Sequence, residues 1–394
     1  MAFIDRKITD QLQEAVRHFP ALVLTGARQT GKTTLLRKLY PHFQYVSLDR
    51  PLVAEQAERD PESFLRANPP PLIVDEVQYA PSLFRFLKIQ IDEKRESKGQ
   101  FILTGSQKFT LMKGVTESLA GRVAVMELEG LSVLELPGKN LERDYPSLMT
   151  RGGFPELWVE PAPPPPLFFD SYIATYLERD VKQILAVGDL RDFERFLRAC
   201  ALRTAQQLNK SDLAREVGVS VPTIGSWLSV LEALGQIVLL EPWFGNVSKR
   251  LVKAPKLYMS ETSLACRLCG VDASNLETSP LVGPLWETFV FAELRKQLAF
   301  KGHRPKLWYY RDQAQWELDF IWEQGHLLSF FECKWTSSPR QSDAKNMDRI
   351  QTLFENKGKI PYAIKEKVLV SRAREHFSAD GLSFRSPISG LFDD

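Results

Sequence analysis

Residues 21–40, ALVLTGARQTGKTTLLRKLY, constrain the fold more than any other stretch. The apolar run Ala21–Leu24 reads as a short buried strand, and Leu35, Leu36 and Leu39 have helical spacing. Between them lie Gly26, Ala27, Arg28, Gln29, Thr30, Gly31, Lys32 and Thr33, the pattern G-x-x-x-x-G-K-[ST], with Thr34 next. Two glycines let the backbone curl so that its N–H groups point at phosphate oxygens, and the helix start adds the positive end of its dipole. In such a loop Lys32 reaches the β- and γ-phosphates and Thr33 ligates Mg²⁺. The stretch predicts an ATP and Mg²⁺ site, with residues 26–34 as the cradle. A glycine-rich turn with an incidental lysine would need neither the strand before it nor the helix after it.

The chain around the loop supplies the other parts of such a site. Residues 43–48 read as a second strand, and Pro71–Val74 as a third that ends in Asp75 and Glu76. In this Walker B arrangement Asp75 holds the Mg²⁺ through water and Glu76 polarises the attacking water. The strand Phe101–Thr104 runs into Gly105, Ser106 and Gln107, where a polar residue would sense the γ-phosphate. At 394 residues there is room for two or three domains. Lys and Arg (51) nearly balance Asp and Glu (49), so any nucleic-acid contact must come from local patches. Four cysteines are too few for a disulfide framework, and Cys266-x-x-Cys269 lacks a second ligand pair and reads as helix core. With no membrane-length apolar run or signal peptide in view, the expectation is a cytoplasmic protein.

The run PAPPPP at 161–166 is a stiff spacer and a natural boundary. Beyond it, residues 210–217, a turn at Gly218 and residues 223–234 predict a helix-turn-helix, with Ile224, Leu228, Leu231 and Leu234 inward. Thr223, Ser226 and Trp227 are left to face a duplex. Strands at Ile237–Leu240 and Lys256–Tyr258 would form a wing, and Lys249, Arg250, Lys253 and Lys256 a basic patch for DNA phosphates. The other reading is a winged helix used only for packing. In the last third, Leu285–Leu298 has helical spacing and carries Glu287; strands follow at Leu307–Arg311, Trp316–Trp322 and Leu327–Trp335. Alternation puts Trp316, Leu318, Phe320 and Trp322 on one face of the second strand. A hairpin would bring Asp319 near Glu332 and Lys334.

GARQTGKTT, LIVDEVQ, the L-T-G-S of residues 103–106, the L-A-G-R of residues 119–122 and the YLERDV of residues 176–181 together resemble one family. It is the AAA-type P-loop ATPases fused to a C-terminal domain of unknown function 4143, and the resemblance runs over essentially the whole chain. It implies that Arg122 acts as an arginine finger toward a neighbouring subunit's nucleotide; a structural salt bridge is the rival reading. The C-terminal third is similar to the PD-(D/E)xK nuclease core, with Asp319, Glu332-x-Lys334 and Glu287, although Leu318 stands where the proline usually does. That likeness implies Mg²⁺ held by the carboxylates, Asp319 and Glu332 among them, and by the Cys333 carbonyl, with Lys334 steadying the attacking water or the phosphate.

The expected architecture is an α/β P-loop AAA-type ATPase at 1–160, a helical and winged-helix middle at 161–262, and a restriction-endonuclease-like α/β domain at 263–394. The expected function is an ATP-hydrolysing DNA-processing homo-oligomer, a hexameric ring or a dimer, with metal-dependent nuclease activity. The alternatives are a nucleotide-switched DNA-binding regulator whose nuclease-like module is silent, and an ATPase with protein partners only.

Overall fold

The computed structural model describes residues 3–106, 108–137, 144–177, 190–243, 254–303, 306–356, 362–373 and 375–392. Its first layer is a five-stranded parallel sheet. The strands are β1 (Ala21–Thr25), β2 (Gln44–Ser47), β3 (Leu72–Asp75), β4 (Phe101–Gly105) and β5 (Val123–Glu127), in the order β2-β3-β4-β1-β5. β1 is an interior strand, in register with Phe101–Gly105 on one side and Val123–Glu127 on the other. An apolar run buried on both faces suits that position. Ala21 and Val23 enter one apolar cluster, while Leu22 and Leu24 enter the cluster on the opposite face. Helices connect the strands, so the loops after β1, β3 and β4 all open at the same edge.

Beyond β5 a much larger core begins. One apolar cluster runs from Val133 and Met149 through Phe196 and Leu231 to Phe291, Phe320 and Leu391. Residues 145–158, expected with the first domain, therefore pack with the middle and C-terminal parts. Helices Lys210–Val217 and Val221–Ala233 follow one another across a turn. Asn209 and Ser220 cap their N-termini, and Gly218 takes the left-handed conformation between them (φ 86°). Ile224, Leu228, Leu231 and Leu234 are buried as expected. Trp227 is buried too, with its ring 5.5 Å from Phe193 and 5.3 Å from Phe196. It is a core residue and not a surface for DNA; a large ring gains more from this aromatic box than from solvent. A small antiparallel sheet follows: β6 (Gln206–Gln207), β7 (Ile237–Leu240) and β8 (Lys256–Met259), in the order β6-β8-β7.

The last sheet has six strands: β9 (Leu307–Arg311), β10 (Glu317–Gln324), β11 (Leu327–Cys333), β12 (Ala363–Val370), β13 (Phe377–Ala379) and β14 (Leu382–Arg385). Their order is β13-β14-β12-β11-β10-β9, with β12 parallel to β11 and to β14 and the other pairings antiparallel. Helix Val282–Phe300 covers one face and helix Lys345–Asn356 the other. The alternation expected along β10 fails at its start. Leu318 and Ile321 enter one core, whereas Phe320 and Trp322 enter the core on the opposite face. The pairing with β9 shifts between Leu318 and Ile321, so an extra residue in the strand flips the faces there. Asp319 sits on that irregularity.

A candidate nucleotide site and a candidate acid pocket

The loop after β1 is a cradle whose backbone is unusual at three positions. Gly26 has φ 145°, Gln29 φ 61° and Gly31 φ 89°. A Cβ on Gly26 would stand 2.2 Å from the Leu128 carbonyl oxygen, so only glycine allows the chain after β5 to run so close behind the loop. Lys32 starts the helix Lys32–Leu39 and is buried; its ammonium donates to the carbonyls of Gly26 (2.9 Å) and Ala27 (2.8 Å). Burial lowers its pKa from 10.5 to about 8 despite the nearby Glu76 and Asp75 carboxylates.

Asp75, at the end of β3, lies opposite. Its Oδ2 accepts from the Thr33 hydroxyl (2.7 Å) and the Tyr45 hydroxyl (2.6 Å), and its Oδ1 from the Thr104 hydroxyl (2.6 Å). Strands β2 and β4 and the first turn of the loop's helix therefore meet on one carboxylate. Glu76 has a left-handed backbone (φ 55°), a conformation that a residue other than glycine keeps only where its surroundings hold it. Its Oε2 accepts from the Ser106 backbone N–H (3.3 Å), the Ser106 hydroxyl (3.1 Å) and the Gln78 amide. Gln78 lies flat against Gly105, where a Cβ would be 2.2 Å from its Oε1. The expected residues Gly26 to Thr33, Asp75, Glu76 and Ser106 thus converge. Thr34 is exposed on the helix, and Gln107 lies outside the described residues. A cavity of about 170 Å³ borders the loop at Ala27 and Thr30, closed by Phe154, Tyr172, Gln236 and Ile237.

Several participants carry no sequence signal. Arg6 is buried and gathers the Thr30 carbonyl (3.0 Å), the Glu129 carbonyl (2.9 Å) and the Glu135 carboxylate (3.1 Å). Tyr45 and Gln78 are equally silent; Thr104 stands in view as the polar residue ending an apolar strand. Arg122 takes no part in the cradle's polar contacts. It makes a two-pronged ion pair with Asp92 (2.7 and 2.9 Å) in the same chain, the geometry of the salt-bridge reading.

The second cluster lies where β10, β11, β8 and helix Val282–Phe300 meet. The Cys333 N–H donates to Asp319 Oδ2 (2.8 Å), and the Lys334 ammonium to Glu332 Oε1 (2.8 Å). Among the described residues, Glu332 Oε2 is buried with no hydrogen-bond partner. Burial and neighbouring acids push the Glu287 and Glu332 carboxyls above the usual range, and burial does the same to Asp319. An unpaired carboxylate oxygen beside a second carboxylate fits a divalent ion. Among the described residues, however, no three His, Cys, Asp or Glu side chains are grouped to hold one, so the Cys333 carbonyl would have to complete the set.

The basic patch fares differently. Lys249, Arg250 and Lys253 lie outside the described residues. Lys256 is buried at 2% exposure, and its ammonium bridges Glu287 Oε1 (2.8 Å) and Glu317 Oε1 (2.5 Å). It is therefore not a phosphate contact. It opens β8, the middle strand of its small sheet, and faces the acids. Although burial opposes its charge, Glu287, Asp319 and Glu317 hold its pKa well above the usual lysine value. Cys266 is buried in a helix, whereas Cys269 is partly exposed at that helix's C-terminal cap. No helix of the described residues is long and apolar enough to cross a membrane.

Comparison with known proteins finds three family models along the chain. One described as an AAA domain matches residues 18–136, Domain of unknown function (DUF8612) matches 142–275, and Domain of unknown function (DUF4143) matches 282–388. Two curated relatives, the uncharacterized proteins Rv2008c of Mycobacterium tuberculosis and Mb2031c of Mycobacterium bovis, are each 33% identical over 339 residues, 85% of this chain and 74% of theirs. Among solved structures, the Walker-type ATPase paby2304 of Pyrococcus abyssi is 17% identical with a TM-score of 0.48, covering 68% of this chain and 96% of that one. A single-substitution variant of RuvB from Thermotoga maritima is 15% identical with a TM-score of 0.33, covering 60% and 90%.

Proposed function

The chain belongs to the family of these mycobacterial proteins, with an AAA domain ahead of a DUF4143 domain, and we propose that it is an ATP-hydrolysing protein that acts on DNA. One observation carries the ATPase reading: Thr33, Tyr45 and Thr104 all donate to Asp75, with Lys32 opposite and Glu76 beside Ser106. Two adjacent oxygen donors, Thr33 Oγ1 and Asp75 Oδ2, suit Mg²⁺, which would offset the phosphate charge. Lys32 binds the β/γ-phosphates on leaving the Gly26 and Ala27 carbonyls. Glu76 takes up the proton of an attacking water once it releases Ser106, whose hydroxyl is then free for the γ-phosphate. The cavity beside Ala27 and Thr30 receives the base and ribose. Glu76→Gln should bind ATP and turn it over at most about 1% as fast, in line with the loss of a general base. ATPase and ATP-binding assays on the same preparation check this, and a parental rate would overturn it.

The DNA reading draws on the helix-turn-helix with its adjoining strands, a winged-helix arrangement, and on Lys249, Arg250 and Lys253 beyond β7. Changing those three together to alanine should weaken binding about equally across sequences and reduce the log–log salt slope by about one per lost phosphate contact. An unchanged slope in a salt titration would leave the winged helix to packing. For the C-terminal domain the reading is a nuclease-like module in which Asp319, Glu332 and the Cys333 carbonyl hold Mg²⁺ and Lys334 faces the phosphate. Lys334→Ala should lose nicking of duplex, single-stranded or branched DNA while keeping ATPase activity. If the parent nicks none of them, the module is a binding platform, and the protein is the nucleotide-switched regulator.

Nucleotide sites between subunits of a homo-oligomer would let Arg122 exchange Asp92 for a neighbour's γ-phosphate. Mixing Arg122→Ala with Lys32→Ala subunits should then restore some ATPase activity; no rescue in verified mixed assemblies leaves Arg122 a salt bridge.

A further inference from the structure

The acid pocket of the C-terminal domain has a cation of its own. Lys256 enters it from β8, a strand of the small three-stranded sheet and no part of the six-stranded one. Its side chain is 3% exposed, and its ammonium is in contact with Glu287 Oε1 at 2.8 Å and Glu317 Oε1 at 2.5 Å. Two residues along the same strand, the Tyr258 hydroxyl donates to Glu287 Oε1 at 2.5 Å. Alternation on β8 allows both side chains to reach the same helix face. Glu317 is held a second time, by Arg311 at 3.2 Å. Glu287 and Glu317 therefore already have the charge and the hydrogen bonds that a buried carboxylate needs. The other two acids differ. Asp319 receives the Cys333 N–H, and Glu332, paired with Lys334 through Oε1, keeps Oε2 buried without a partner among the described residues.

Resting on the nuclease-like reading above, we propose that the pocket takes a single divalent ion, on Asp319 and Glu332, and that Lys256 fills the place of a second. Glu287 is then a partner of Lys256 and not a metal ligand, so the pocket is a composite of two parts of the chain. Two ions stabilising both the attacking and the leaving oxygen would need the carboxylates that Lys256 holds. A lysine in that position supplies fixed positive charge without an exchangeable site.

The test is Mn²⁺ binding to the nucleotide-free full chain, read by the electron-paramagnetic-resonance signal of free Mn²⁺ and by isothermal titration. The parent should bind one ion that Asp319→Asn abolishes. Glu287→Gln should keep that ion within about twofold in affinity, because the amide still accepts from Lys256 and Tyr258. Lys256→Met should bind a second ion, or bind the first at least about tenfold more tightly, since Glu287 loses its counter-charge beside it while Arg311 still holds Glu317. The double variant Lys256→Met/Glu287→Gln, with one buried charge fewer, should fold if the single variant does not and should still bind more tightly than the parent. The inference fails, with the metal reading intact, if Glu287→Gln loses the ion as Asp319→Asn does, or if the folded lysine variants match the parent. If neither the parent nor any lysine variant binds Mn²⁺, both fail.

Discussion

Lys32 is the residue from which most of the nucleotide chemistry can be argued, and its charge has a measurable cost. Its pKa is about 8 in the folded protein against an ordinary 10.5. Below pH 8 the buried ammonium is charged in both states and its burial opposes folding. Between 8 and 10.5 the unfolded chain binds more protons, so this penalty is relieved as pH rises. In the proposed site, bound ATP would give the ammonium a phosphate partner and restore its charge. ATP binding above pH 8 should therefore take up a proton, and affinity should fall by up to about tenfold per pH unit until the pKa of the bound state is reached. Titrations in buffers of different ionisation enthalpy measure that proton directly; no uptake at about pH 9, between the two values, would place Lys32 away from the phosphates. A second prediction concerns a spot the sequence marks only as L-T-G-S. Gly105→Ala would drive a methyl into Gln78 Oε1 and to within 3.2 Å of Leu111. It should cost about 1–3 kcal/mol by chemical denaturation, as overpacking does, and displace the amide that steadies Glu76. The loop residues are legible because glycine and lysine at fixed spacing have few other uses. Arg6 is not, because its partners Thr30, Glu129 and Glu135 lie 24 to 129 residues away in the chain; Gln78 is not, because a glutamine two residues after an acid has many other uses.

Single elements show where pattern reading holds and where it stops. The apolar runs of β1 and β4 announce interior strands, and both are fully buried. The faces of β10 are misread because one irregular residue near Asp319 reverses the alternation, and nothing in the amino-acid types signals it. Helix Val282–Phe300 is buried nearly all round and yet carries Glu293 and Lys296. Glu293 accepts from the Ser132 hydroxyl (2.6 Å) and the Val133 N–H (3.2 Å). Lys296 donates to the Leu131 carbonyl (3.0 Å) and to Glu293 (3.2 Å). The spacing i, i+3 is visible in the sequence, but its purpose is not, since the segment it grips lies 160 or more residues earlier. Glu293→Ala leaves Lys296 buried without its counter-charge and should cost about 3–5 kcal/mol in denaturant unfolding. A loss below about 1 kcal/mol would mean that the pair is solvated.

At the scale of the whole molecule, the length allows three domains and a proline run suggests where the first one ends. The interior is joined differently. The cluster that holds Val133, Met149 and Phe154 also holds Phe196, Leu231, Phe291 and Leu391. The parallel sheet has its own two clusters, one on each face. The bridge between the two halves is rich in polar contacts: Arg6 on Thr30, Glu129 and Glu135, and Arg295 on Glu129 at 3.1 Å. Apolar continuity makes unfolding cooperative, whereas a polar seam does not. In a scanning calorimeter the protein should absorb heat in two steps, not three, and ATP with Mg²⁺ should move the step that belongs to the parallel sheet. Three separate steps would contradict a shared interior. The same continuity bears on handling the molecule. A fragment cut at the proline run would carry Met149, Phe154 and Leu157 without their partners and should precipitate, whereas a cut between Leu128 and Val133 would keep each large oily cluster on one piece.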